Sequence, residues 1–206
     1  MLNIKKISHG AAMLGLLLCL GLTACVSGLS AQIENYDASF PIVFGRVVSE
    51  VAGHTTRIYP PQVCFFLLMN RETKDRVQVL VESDDRTFSF QVVPGEYELT
   101  RVQVSEGPFM SMADYAVGFE VVQGRLYVGT WRFRIDIPRY GRMMSFSADL
   151  DEEARREAER QLFREAPDVR DTVVTEVALC PSQAETRLFE VMPYPRYPRY
   201  FRRHWW

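Results

Sequence analysis

The side chains of this chain that could carry out chemistry are few and scattered. Its 206 residues include three histidines, which lie far apart in the sequence. The spacings typical of zinc proteases, thiol–disulfide oxidoreductases and serine hydrolases are missing, namely HExxH, CxxC and GxSxG. Ser105 and Ser111 lie near Asp114, but no strand–turn–helix pattern surrounds them. The sequence therefore predicts a protein that is not an enzyme and binds no cofactor.

Two acidic groups offer the oxygen ligands that a divalent cation prefers. They are Asp84-Asp85 and the pair Asp149 and Asp151. Both stand at turn or helix-start signals, where carboxylates commonly accept backbone hydrogen bonds. We therefore predict turn and cap roles for them and no metal site.

The N-terminus carries the clearest chemical signal. Lys5 and Lys6 precede an apolar run over residues 11–22, and small residues follow. This layout is typical of a secretory signal and is too short for a spanning helix. An ordinary signal peptide cut after Ala24 fits the same layout. A buried helix is disfavoured because glycines interrupt the run.

The end of this leader, Leu22-Thr23-Ala24-Cys25, resembles the lipobox of bacterial lipoproteins. The resemblance implies that the Cys25 sulfur receives a diacylglyceryl group, that residues 1–24 are removed, and that the new amine is acylated. Several acyl chains hold a protein firmly, since each buried CH₂ adds about 0.8 kcal/mol. Because Val26 rather than Asp follows the cysteine, the resemblance implies the outer membrane, with the protein facing the periplasm.

Removal of residues 1–24 would leave 182 residues, enough for one domain with a real core. Losing Lys5 and Lys6 reduces the 24 Lys+Arg to 22, against 26 Asp+Glu, for a formal charge of −4. This chain has no basic excess of the kind that indicates nucleic-acid binding. Cys64 and Cys180 would remain in the body. The oxidising periplasm allows a disulfide between them, and two separate thiols are the alternative.

Alternation of apolar and polar residues from residue 40 onward predicts strands. Residues 63–69 are continuously apolar and predict a central strand that is buried on both faces. On the other strands, one face should be buried in the core and the other should be exposed to solvent. Five large side chains are expected to face the core: Trp131, Phe133, Ile135, Phe88 and Phe90.

Two turn signals predict β-hairpins, at Pro94-Gly95 and at Gln123-Gly124. The segment 88–99 resembles the signature hairpin of transthyretin-like, carboxypeptidase-regulatory-like β-sandwiches. Residues 119–129 are similar to a later hairpin in lipoproteins of that kind. The resemblance covers about residues 40–150, and it implies a sandwich fold and no catalytic residue.

One helix is predicted near residues 150–165. Asp149 or Asp151 can cap it, four-residue spacing forms an apolar stripe from Leu150 to Leu162, and Pro167 ends it. The predicted fold is thus mainly β, a single antiparallel β-sandwich with one late α-helix. Its predicted divisions are the signal peptide at 1–24, the lipidated N-terminus and tether at 25–39, the sandwich at 40–180, and a C-terminal extension at 181–206.

Two segments are candidates for binding a partner. The first is predicted as a long loop, residues 105–114, which carries Phe109, Met110 and Met112. The alternative for this loop is a plug over the end of the core. The second is the tail at residues 193–206, which combines aromatic rings with four arginines and no acid. Its candidate contacts with an anionic wall polymer or lipid are Arg196, Arg199, Arg202, Arg203, Trp205 and Trp206. The alternatives are a disordered end with no task and aromatic rings that pack back on the acidic body.

These patterns favour a non-catalytic envelope lipoprotein that is held to the membrane by its N-terminal lipid. Its sandwich would bind an envelope protein or a cell-wall partner. An accessory part of a secretion or envelope-assembly apparatus is the alternative within the same class, and an enzyme with an unrecognised site is the alternative outside it.

Overall fold

The fold comes from a computed structural model, which describes residues 29–30, 37, 39–52, 59–81, 86–136, 141–169 and 173–191. Cys25, Asp84, Asp85 and the tail lie outside these residues. The described elements, in chain order, are β1 (Leu29–Ser30), β2 (Ile42–Val51), β3 (Gln62–Asn70), β4 (Arg76–Leu80), β5 (Thr87–Gln91), β6 (Gly95–Glu106), β7 (Phe109–Val121), β8 (Arg125–Asp136), β9 (Met143–Asp149), α1 (Glu152–Glu165), a 3₁₀ turn (Pro167–Val169), β10 (Val174–Glu176), β11 (Gln183–Arg187) and β12 (Phe189–Val191).

The strands form two sheets that pack face to face. Sheet A has the order β1-β4-β3-β6-β7-β12, and sheet B has the order β11-β9-β8-β2-β5, with β10 beside the start of β8. The predicted mainly β sandwich with one late helix is therefore confirmed. The sheets are mixed rather than purely antiparallel, because β2 pairs in parallel with β8. The long connection between these two strands makes parallel pairing possible.

The core lies between the sheets and is dominated by aromatic rings. Trp131 is fully buried, and its ring centroid lies 4.8 Å from that of Phe66 and 5.0 Å from that of Phe88. The five side chains expected to face inward are all buried. Across the core, the Tyr115 hydroxyl of sheet A donates a hydrogen bond to the Met144 carbonyl of sheet B at 2.9 Å. Burial raises the pKa of Tyr115 above its ordinary value.

Both predicted hairpins are wrong, because each turn connects the two sheets. β5 pairs with β2 in sheet B, whereas β6 pairs with β3 and β7 in sheet A. Pro94-Gly95 therefore carries the chain from one sheet to the other, and Gln123-Gly124 does the same between β7 and β8. Turn residues set only the local direction of the backbone, and this direction suits an arch between sheets as well as a hairpin.

A hairpin that the sequence did not predict lies where a long loop was expected. β6 and β7 pair up to Glu106 and Phe109, so only Gly107-Pro108 remains as the loop. Gly107 has φ +62°, which glycine adopts without strain in the first position of such a loop. We call this end of the sandwich the hairpin end. The opposite end, where residues 92–95 and 122–124 cross between the sheets, is the arch end.

The helix matches its prediction closely. Asp151 caps α1, since its side chain accepts a hydrogen bond from the Glu153 amide at 3.1 Å. The C-cap is Ala166, immediately before Pro167. Ala154, Ala158 and Leu162 are buried as expected. Leu150 differs, because it precedes the helix and is 50% exposed.

The sandwich extends past both predicted boundaries. β11 pairs with β9 and β12 pairs with β7, so residues 183–191 belong to the sheets rather than to an extension beyond residue 180. At the other edge, β1 pairs in parallel with β4. Part of the predicted tether at 25–39 is therefore fixed to sheet A. Cross-strand pairing of such short segments depends on the folded neighbour, which local sequence does not specify.

Candidate binding surfaces

The outer face of sheet A carries apolar side chains on four of its strands. Strand register places directly paired residues on the same side of a sheet. Leu80 of β4 pairs with Phe65 of β3, and Met112 of β7 pairs with Phe189 of β12. Leu80 and Phe189 are 37% and 44% exposed. The eight outward apolar residues, which we call the sheet A patch, are Phe65, Leu67, Met69, Leu80, Met110, Met112, Phe189 and Val191.

Strand β3 accounts for the largest part of this patch that sequence reasoning missed. Residues 63–69 were predicted to be buried on both faces, but only the inward residues Val63, Phe66 and Leu68 are buried. Phe65 and Leu67 point outward and remain partly exposed. A continuously apolar strand is expected beneath a covering layer. Among the described residues, nothing forms such a layer over sheet A.

Polar residues of β6 divide the sheet A patch into two halves. Gln103 stands between Phe65 and Met112 in the same row. In the next row, Arg101 Nε donates to Asp114 Oδ1 at 2.5 Å. This hydrogen bond raises the pKa of Arg101. The patch therefore combines two apolar halves with an ion pair between them.

The structure separates the three residues that were predicted to form a binding loop. Met110 and Met112 pair with Val191 and Phe189, so they lie within the sheet A patch. Phe109 pairs with Glu106 and points to the opposite side, at the hairpin end, where it is 47% exposed. The predicted loop is a strand, because the two-residue turn at 107–108 lets β6 and β7 pair up to their ends.

The outer face of sheet B is different, because α1 covers its apolar part. Ile42 and Phe44 of β2 and Tyr127 of β8 are outward residues, yet each is at most 2% exposed. They pack against Ala158 and Leu162 of the helix in one cluster. The rings of Phe44 and Tyr127 lie 5.5 Å apart. The helix therefore acts as the covering layer for this half of the face.

The uncovered half of sheet B's outer face is polar. It forms an open groove of about 500 Å³ along β2, β8, β9 and β11. Arg134 pairs across the strands with Glu50 on one side and Ser145 on the other. Arg132 lies 3.8 Å from both Glu50 and Asp149. Its charge is thus already balanced within the protein. This groove confirms the solvent-exposed face that was predicted for β8.

An ion pair closes the hairpin end of the sandwich. Arg142, just before β9, donates through Nη2 to Glu106 of β6 and through Nη1 to Ser111 Oγ at 3.4 Å. Glu106 and Ser111 are 7% and 2% exposed. The Arg142 carbonyl also accepts the Leu188 amide at 2.9 Å. These bonds join β6, β7 and the β11–β12 connection, so we interpret the cluster as structural.

The candidate disulfide is not formed. Cys64 and Cys180 are both free thiols. Cys64 lies on β3, whereas Cys180 bridges to Gly118 on the far side of β7. In sheet A three strand spacings separate these positions, or about 14 Å at about 4.8 Å each. A disulfide requires Cα atoms within about 7 Å.

Of the two acidic residues near the helix start, Asp151 has the predicted cap role. Asp149 instead ends β9, and its carboxylate lies 3.8 Å from Arg132. Within the described ranges, no three His, Cys, Asp or Glu side chains are grouped so that they could hold a metal ion. The same part of the chain contains no helix long and apolar enough to cross a membrane.

No family model matches this chain, and no curated protein or solved structure is significantly similar to it.

Proposed function

We propose that this chain is a non-catalytic lipoprotein of the bacterial envelope whose sandwich binds a protein partner through the sheet A patch. Lipid on Cys25 anchors it at the periplasmic face of the outer membrane. The leader and the lipobox-like Leu22-Thr23-Ala24-Cys25 support the anchor. The sheet A patch supports the partner.

One observation carries the choice of partner. Sheet B's outward aromatic residues are covered by the protein's own helix, whereas the sheet A patch is left open by the described chain. Phenylalanine and methionine are enriched in protein interfaces. A polar, carboxylate-bearing wall polymer would gain little from Phe65, Leu80, Met112 and Phe189. A protein that presents an apolar surface would remove them from water.

The anchor is tested by replacing the cysteine. We expect Cys25→Ser to leave the leader uncut at the lipoprotein site and to remove the mass of the acyl chains. Any variant protein that loses its leader by another route should stop partitioning into detergent, because it then carries neither the apolar leader nor a lipid. Mass spectrometry of the N-terminal peptide and detergent phase separation measure both effects. An unchanged mass and unchanged partition would exclude the anchor.

The partner surface is tested by crosslinking in living cells. A photo-reactive amino acid is placed at Met112 or Phe189 in the sheet A patch, and at Arg134 in the sheet B groove as the control. We expect one discrete product from the first two positions and none from the third. The product should disappear when Leu80→Asp and Phe65→Asp are added, while the melting temperature of the variant shows that it remains folded.

The identity of the product separates the alternatives. A partner protein that crosslinks at both patch positions supports the proposal. A crosslinked second copy of the chain, or equal products from Arg134, contradicts it. If the partner also co-purifies as a stable complex of several proteins, the chain acts as an accessory of an envelope-assembly apparatus.

A further inference from the structure

The open groove on the outer face of sheet B differs in chemistry from the sheet A patch. It runs along β9, whose outward side chains Ser145 and Ser147 are small and form its floor. Longer polar side chains stand on both sides of this floor, among them Arg134 on β8 and Glu185 on β11. The groove therefore has a floor with two hydroxyls between two charged walls.

Arg134 and Glu185 face each other in one row of this groove. Each is paired across the strands with Ser145, Arg134 from β8 and Glu185 from β11. Both side chains are exposed, and neither forms an ion pair with another residue that the structure describes. Arg132, in the next row, is by contrast held between two carboxylates. The described chain thus leaves one cation and one anion of the groove without an ion pair.

The distance between these two charges sets the size of a matching ligand. Strands β8 and β11 are two strand spacings apart, or about 9.6 Å at about 4.8 Å each. Strand side chains stand roughly perpendicular to their sheet, so the two charged groups are separated by a similar distance. Charge-assisted hydrogen bonds of about 2.8 Å on both sides leave about 4 Å for the ligand's own charged atoms. An ammonium and a carboxylate on one carbon atom fit a gap of this length.

We propose that this groove binds cell-wall peptides that end in an amino acid with a free ammonium and a free carboxylate. The ligand's carboxylate lies on Arg134 and its ammonium on Glu185. Arginine binds a carboxylate through two hydrogen bonds, and glutamate oxygens accept hydrogen bonds from an ammonium. In the next row, the Ser147 hydroxyl and the Gln183 amide are placed to hydrogen-bond the rest of the peptide. The inference rests on the envelope location proposed above.

The charges beside the groove favour a ligand with both signs over a polyanion. In the row toward the hairpin end, β8 carries Asp136 and β11 carries Arg187, so the order of the charges is reversed. Each wall therefore carries an acid and a base, and a chain of like charges would meet repulsion at both walls. Met143 stands between Asp136 and Arg187 where the floor otherwise has serine, so the floor of small residues ends there.

The shape of the groove favours a wall peptide over a free amino acid. The groove is open to solvent. Exposed ion pairs are individually weak, so a single amino acid would be released quickly. The wall presents many such ends to many anchored copies of the chain, and linked weak contacts give a much higher combined affinity.

The need for both charges is tested on beads that carry lysine through its side-chain nitrogen, which leaves its ammonium and carboxylate free. Two further bead types carry the same lysine with its ammonium acetylated or with its carboxylate amidated. We expect the purified full chain to bind either modified bead about fivefold more weakly, as loss of one exposed ion pair implies. High salt should weaken binding to the unmodified bead. Equal binding to the unmodified bead and to either modified bead overturns the proposal.

Two variants test the residues. Arg134→Gln and Glu185→Gln should each reduce binding to the unmodified bead about fivefold. Their melting temperatures should not change, because both side chains are exposed. Arg160→Gln is the matched control, since Arg160 is also exposed but lies on α1 beside Glu157. Binding by Arg160→Gln should equal that of the natural protein. An equal loss in all three variants, or no loss in any, contradicts the site.

Isolated wall tests the choice of occupant. We expect the full chain to co-sediment with wall, added free lysine to displace it, and Arg134→Gln and Glu185→Gln to bind about fivefold more weakly. A chain that binds the unmodified bead but not wall would show that the groove takes a free amino acid, which contradicts wall peptide as the ligand.

Failure of the proposed function is seen separately. Phe65→Asp with Leu80→Asp should remove the crosslink from the sheet A patch and leave binding to beads and wall unchanged. An unacylated N-terminus contradicts the anchor and does not alter the result on beads. The crosslinking control at position 134 remains valid, because the photo-reactive residue replaces the arginine that the groove needs.

Discussion

The outer faces of sheets A and B both carry apolar side chains, but the described chain covers only those of sheet B. Phe44 and Tyr127 of sheet B lie under α1 and are at most 1% exposed. Phe189 and Leu80 of sheet A have the same apolar character and are 44% and 37% exposed. Within the described chain, α1 covers the apolar face of sheet B, and no element covers that of sheet A. The open face is therefore the better candidate for contact with another molecule.

The outer faces of the two sheets also differ in their charged groups. Where sheet B is not covered by α1, its surface is polar, with Arg132 between Glu50 and Asp149. The uncovered surface of sheet A has the ion pair of Arg101 with Asp114 between two apolar halves, and Arg71 beside Glu98 nearer the arch end. Water solvates the first surface well and the second poorly. Comparable substitutions on the two faces can test whether the faces differ in this way.

The largest effect is expected under the helix. Phe44→Ala removes a side chain that is 1% exposed and packs against Tyr127 and α1. Such truncations cost about 3–5 kcal/mol in the free energy of unfolding. Urea unfolding measures this loss. A loss below about 1 kcal/mol would show that α1 does not cover sheet B as a packed layer.

A smaller effect on stability is expected in the core between the two sheets. Tyr115→Phe removes the hydrogen bond to the Met144 carbonyl, which should cost about 1 kcal/mol at neutral pH. Since the folded pKa of Tyr115 is raised, its contribution is complete below the ordinary pKa of about 10. It is then lost as the pH rises through the folded value.

The pH dependence of this variant provides the control. Unfolding free energy should fall above about pH 10 in the natural protein and fall less steeply in Tyr115→Phe. The slope should not vanish, because burial also raises the pKa values of Tyr97 and Tyr127. Identical slopes in the two proteins would show that the Tyr115 hydroxyl is not buried between the sheets.

The smallest effect on stability is expected on the open face. Phe189→Ala truncates the same side-chain type as Phe44→Ala, but at a position that is 44% exposed. The free energy of unfolding should change by no more than about 0.5 kcal/mol. Crosslinking from Met112 should nevertheless decline. A stability loss comparable to that of Phe44→Ala would mean that the sheet A patch belongs to the core.

On strands with clear alternation, the sequence by itself determined which side chains face inward. Period-two alternation is a property of the strand, so Trp131, Phe133 and Ile135 were assigned to the core without knowledge of their neighbours. The Asp151 cap and the end of α1 before Pro167 could likewise be predicted from neighbouring residues. These features depend on a few consecutive residues and their backbone geometry.

Only the tertiary structure decided which strands pair and which faces stay open. Pro94-Gly95 and Gln123-Gly124 have the turn chemistry of hairpins, yet they join different sheets, while an unpredicted hairpin lies at Gly107-Pro108. Residues 63–69 look doubly buried because the sequence does not show whether a second layer covers sheet A. Met112 and Phe189, 77 residues apart, become neighbours through strand register. Pairing and covering depend on contacts between residues distant in the chain, which local periodicity does not encode.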